Sequence, residues 1–133
     1  MAQRHEILSK ILDIQGPLAE KKLEQLRESA FKSDDAIAAF YAANAQRALL
    51  LMRLDAFKYL KEGGKKWIDK FEMRYQESQD TFQKLEQELQ DPTRRQLAKA
   101  AQVTIDKYRQ GFISLQAHYN KQNQIIETGV FLS

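Results

Sequence analysis

Ile68, Phe71, Tyr75, Ser78, Phe82, Leu85 and Leu89 recur at alternating spacings of three and four along the middle of the chain. Only an α-helix places such a series on one side, and a seam of this kind must be covered by other helices with the same repeat. The series Ala38, Ala42, Ala45, Leu49, Met52, Ala56 and Tyr59 supplies one partner, with alanines that let neighbouring backbones approach closely. Tyr108, Phe112, Leu115, Tyr119, Gln122 and Ile126 supply another. Matching seams joined by short turns predict an all-α fold, an up-and-down bundle of long antiparallel helices related to the four-helix bundles.

The punctuation is sparse. Two prolines and five glycines in 133 residues leave Gly16-Pro17, Gly63-Gly64 and Asp91-Pro92 as the breaks, which predict a short leader helix and three long helices over 17–62, 65–90 and 92–128. Asp91 suits an N-cap, and the glycine pair suits left-handed backbone between two helices. The whole of 1–133 then forms one helical module. At 1.5 Å per residue the first long helix would measure about 69 Å against about 39 Å and 55 Å for the others, so residues 17–35 would overhang. That overhang, with the nearly all-round apolar run at 48–52, predicts a homodimer through the first long helix. A weak echo sets Ile7, Leu8 and Leu12 against Ile125, Ile126 and Val130 at a constant offset, as in one unit of a longer protein.

Several function classes find no support. There is no cysteine, so disulfides and thiolate metal sites are excluded. His5 and His118 stand alone without a second histidine at helical spacing, which predicts surface residues and no bound metal. No phosphate-cradling glycine loop or nucleophile elbow occurs, and no cofactor and no enzymatic activity are expected. The 21 basic and 18 acidic residues give a net charge of +3 and are interspersed in sequence, which argues against a nucleic-acid surface. No apolar run reaches the length of a membrane span. Asn44, Arg47, Asp55, Lys58 and Glu62 form a polar arc expected to face solvent, and Arg94 and Arg95 sit unusually for cations in a first helical turn, which invites an acidic partner or an anion.

The stretches LDIQGPLAEKKLEQLRESA, AQRALLLMRLDAFKYLKEG, LQDPTRRQL and YRQGFISL carry a family likeness. From about residue 10 to 128 the chain resembles the ligand-binding sensor domain of bacterial methyl-accepting chemotaxis receptors, of the helical bimodular kind built from four-helix bundles. The resemblance implies a periplasmic module of an inner-membrane receptor that touches the membrane only through flanking spans. It also implies a dimer that binds a small organic acid or other metabolite between helices and signals through helix displacement. A structural or scaffolding bundle whose partner is another protein is the competing reading.

Arg53 focuses the search for a ligand, because it falls inside the apolar face of ALLLMRLDAFKYL. If the turn at 63–64 joins antiparallel helices, positions summing to about 127 lie level; if 91–92 joins the next pair, the sum is about 183. Arg53, Arg74 and Arg109 then share a layer with Tyr75 and Tyr108. Their guanidinium forks could converge on a carboxylate-bearing ligand oriented by the two tyrosine hydroxyls, or the three arginines could point outward to water or to nearby acids.

Overall fold

The computed structural model describes the backbone of residues 2–132 and the side chains of Lys10 and residues 12–121. Four α-helices and no strand occur among them: α1 (Ala2–Lys32), α2 (Ala36–Glu62), α3 (Lys65–Glu88) and α4 (Pro92–Leu132). They run up, down, up and down. α1 lies along α4 and α2 along α3 over most of their lengths, α1 and α2 meet over a shorter stretch, and α3 approaches α4 least. The all-α bundle is as the seams predict, and the seam Ala38, Ala42, Ala45, Leu49, Met52, Ala56 and Tyr59 is buried at every position.

One break moves. The chain does not stop at Gly16-Pro17 but continues as helix through both, and turns instead at Ser33-Asp34-Asp35. The leader and the 17–62 helix are therefore replaced by two long helices. Pro17 removes the hydrogen bond to the Asp13 carbonyl at a cost of about 3 kcal/mol. Continuing the helix extends a seam of its own, Leu12, Gly16, Ala19, Leu23, Leu26 and Ala30, all buried against the bundle. Each large apolar member contributes about 1.5–3 kcal/mol, so the burial outweighs the lost bond. Residues 17–32 are thus covered from within the chain, and the overhang from which a homodimer was expected is not there. Gln122, Ile126 and the Ile7/Ile125 echo lie outside the described side chains.

The turns hold through few groups. Asp34 adopts a positive φ of 56°, and the Asp35 carboxylate accepts the Ala38 amide at 3.1 Å as the N-cap of α2. Gly63 and Gly64 carry positive φ of 70° and 100°, as a glycine pair allows, and the Gly63 amide donates to the Tyr59 carbonyl at 2.7 Å. Asp91 caps α4 by accepting the Arg94 amide at 2.9 Å. Arg95 donates back to the Leu89 and Glu86 carbonyls at 2.9 and 3.4 Å, so this first-turn cation neutralises the carbonyl end of α3. Arg94 does find an acid, Asp35 at 3.7 Å, and ties the α1–α2 turn to the α3–α4 turn.

Candidate functional site

The seams change character along the bundle. Near the turns at 33–35 and 89–91 they are largely alanine and leucine. Toward the α2–α3 turn they become aromatic: Phe71 meets Phe112 with ring centroids 4.1 Å apart, Tyr108 stacks on Phe71 at 6.0 Å, and Tyr59 packs edge-on against Phe112 at 5.4 Å. Large rings hold helices farther apart than alanines do. Within this aromatic half a groove of about 300 Å³ opens between α1 and α2.

The groove reaches Tyr108 of α4 and is lined by Leu12 and Asp13 of α1 and by Leu50, Arg53, Leu54, Ala56, Phe57 and Leu60 of α2. Arg53 stands at its polar edge. A Cβ on Gly16 would lie 2.8 Å from Arg53 Nε and 3.2 Å from Cζ, so glycine lets the guanidinium lie on the α1 backbone, and any larger residue would make the flexible Arg53 side chain shift. Nη1 of Arg53 donates to Glu20 Oε1, one turn farther along α1. Gly16 is therefore a seat for Arg53 rather than a helix end, and Arg53 is a cross-link between α1 and α2.

Burial pushes the Tyr108 hydroxyl's pKa up, while Arg53 pulls it back and Asp13 pushes it further up. A phenol that stays neutral beside a guanidinium is a hydrogen-bond donor and acceptor facing an apolar groove. One cation thus pairs with Glu20 beside a tyrosine, with Asp13 on the same groove wall, at the junction of three helices.

The other expected residues belong to the α3–α4 side. Arg109 Nε donates to both oxygens of Glu72 at 3.2 and 3.0 Å, and its guanidinium lies over the Tyr75 ring, 4.7 Å from the centroid. The Tyr75 hydroxyl donates to Asp106 at 2.8 Å, and burial with this hydrogen bond raises its pKa to about 12. Gln79 donates to Asp106 at 3.4 Å and accepts from Gln102 at 3.1 Å, completing a polar ladder across the helices that approach least. Arg74 pairs with Glu77 on its own helix at 3.2 Å. The structure therefore brings Arg53 to Tyr108 and Arg109 to Tyr75, and no described contact joins Arg53 to Arg74 or Arg109. Each of the three arginines has a carboxylate of its own.

Two surface expectations fail. His118 is buried among the helices, because α4 carries it inward three residues after the seam residue Leu115. Asp55 is also buried rather than on a solvated arc, its Oδ2 without a protein hydrogen bond. Burial raises its pKa, and the charges of Arg74 and Lys70 on α3 oppose that rise. The sequence signal for Glu20 and Asp13 lay in the turn repeat of α1, which is visible only once Gly16-Pro17 is read as helix.

Among the described residues no cluster of three His, Asp or Glu side chains could hold a metal ion, and no helix is long and apolar enough to cross a membrane. Compared with families, with curated proteins and with solved structures, the chain matches none.

Proposed function

We propose that the chain is the periplasmic sensor module of a membrane receptor, and that it binds a small carboxylate-bearing metabolite at the Arg53 groove. The observation that carries this reading is the seat of Arg53 on Gly16, between Glu20 and Tyr108, at the edge of a groove shared by three helices. The resemblance to chemoreceptor sensor domains supports it.

Arg53 is already compensated, so an incoming carboxylate competes with Glu20 for the guanidinium. A bidentate carboxylate uses the planar fork better than the single Nη1 contact that Glu20 makes, while Tyr108 offers a donor to the same anion. The apolar lining accepts the ligand's carbon skeleton. Exchange removes the charged link between α1 and α2 and lets α1 shift along α2. Signalling follows only if the ligand prefers the shifted packing, since a ligand indifferent to the two packings moves nothing. No bond is made or broken.

Thermal unfolding against a panel of mono- and dicarboxylates and amino acids tests this. A ligand at 100 times its Kd adds about 2.7 kcal/mol of stability. Arg53→Ala should abolish the shift, and Glu20→Gln should tighten binding by removing the competitor. A panel that shifts nothing, or an Arg53→Ala variant that still responds, ends this reading and leaves the scaffolding bundle.

A further inference from the structure

Charges of both signs run along the whole chain, but the positive surplus falls in one segment. Between 58 and 70 five lysines face two acids, Glu62 and Asp69, a surplus of three. That equals the net charge of +3 of the whole chain, and the other residues balance at 16 basic and 16 acidic. The fold gathers this surplus at one corner, where α2 ends and α3 begins. Lys66 and Lys70 each lie 4.9 Å from the centre of the Trp67 ring and Lys58 lies 5.9 Å from it.

An apolar stripe runs into the same corner. On the outer face of α2, Leu50, Leu54 and Phe57 are 56%, 49% and 59% exposed, and Lys61 lies 6.0 Å from the Phe57 ring, joining stripe to corner. Asp55 of α2 is buried, and Glu62, which accepts the Trp67 indole N–H at 3.1 Å, is already counted in the surplus of three. The surface is therefore large apolar side chains bordered by cations.

From this juxtaposition we infer that the α2–α3 corner docks on an anionic bilayer surface, with its lysines against lipid phosphates and Phe57, Leu54 and Trp67 at the headgroup boundary. Lysines with tryptophan and exposed aliphatic side chains suit that boundary, where half the environment is apolar and half charged. A nucleic acid would match the charge but leave Leu50, Leu54 and Phe57 in water. A second copy of the chain would cover the stripe but set lysines against lysines. The inference goes beyond the carboxylate reading: it shares Leu50, Leu54 and Phe57 of the groove wall with that reading, but none of Gly16, Glu20, Arg53 and Tyr108, and the Lys65 and Lys66 pair tests it apart from the groove.

Trp67 is the only tryptophan, so its fluorescence reports this corner directly. The full chain, without any carboxylate, is titrated with vesicles of phosphatidylglycerol and phosphatidylcholine in equal parts and with phosphatidylcholine alone. The expected result is a blue shift and vesicle co-sedimentation that need phosphatidylglycerol and fade as salt shortens the Debye length from about 10 Å at 0.1 M to about 3 Å at 1 M. Lys65→Gln with Lys66→Gln, both exposed, should weaken partitioning on the order of fivefold per lysine. Leu54→Ser with Phe57→Ser should weaken it at low salt without changing the helical circular dichroism. The inference is overturned by equal binding to phosphatidylcholine alone, by unchanged binding in either double variant, or by no vesicle binding with self-association that Leu54→Ser/Phe57→Ser abolishes. Because no carboxylate is present, failure here leaves the Arg53 reading standing, and the reverse holds too.

Discussion

The two halves of the bundle solve the same packing problem with different side chains. Toward the turns at 33–35 and 89–91, Ala30, Ala38, Ala42, Ala45, Ala98 and Ala101 are buried between helices. Toward the α2–α3 turn, Tyr59, Phe71, Tyr108 and Phe112 are buried at corresponding levels. Small residues bring backbones together, although this half also holds a groove of about 390 Å³ between α3 and α4 beside Phe82, Leu89 and Ala98. Aromatic rings separate the helices, bury more area each, and leave a groove where rings cannot tile the space. The groove with its charged edge and the basic corner both belong to the aromatic half, while the alanine half is fastened by Arg94, Arg95, Asp35 and Asp91 at its turns.

The largest effect should come from emptying the aromatic half. Phe112→Ala removes the ring that meets both Phe71 and Tyr59 and should cost about 3–5 kcal/mol, read by urea unfolding. The reverse experiment fills the alanine half: Ala45→Leu adds volume at a fully buried seam position and should cost about 1–3 kcal/mol. If Ala45→Leu were tolerated at no cost, the contrast between the halves would be wrong. Asp35→Ala removes the α2 cap and Arg94's partner together, with an expected loss of about 1–2 kcal/mol; a loss below a few tenths would show the turn is held elsewhere.

Two smaller effects depend on pH. Tyr75 has its folded-state pKa raised from 10.0 to about 12, so its contribution to stability is complete below pH 10 and is lost as the pH rises toward about 12. Tyrosinate absorbance should therefore show a late step that disappears in Tyr75→Phe. Asp55 has its folded-state pKa raised from 3.8 by burial, so its ionisation disfavours the fold, and this penalty is relieved as the pH falls through the folded pKa to below 3.8. Asp55→Asn should raise stability at pH 7 and narrow the difference between pH 7 and pH 3.

Much of the fold was legible because seams are local. Alternating three and four spacings identify α2, α3 and α4 and their buried faces, and Gly63-Gly64 and Asp91-Pro92 sit where the turns are. The same reasoning misplaced the first turn. Gly16-Pro17 carries the stronger local break signal than Ser33-Asp34-Asp35, yet the latter breaks and the former does not. Arg53 could be singled out as an odd residue on an apolar face, but its partner Glu20 could not be named while 17–62 was read as a single helix.

By itself the sequence determined the helical class, the inward face of three helices and the capping residues of two turns, because each depends on residues within a turn or two of one another. Tertiary structure decided whether Pro17 ends a helix, since the lost bond to Asp13 is weighed against a seam buried by α4 and α2. It also decided that Arg53 and Arg109 pair with Glu20 and Glu72 across helices, and that the exposed stripe of α2 runs into the lysines of 58–70. Those outcomes depend on which helix lies against which, and interhelix register is fixed by the sum of all the seams rather than by any one of them.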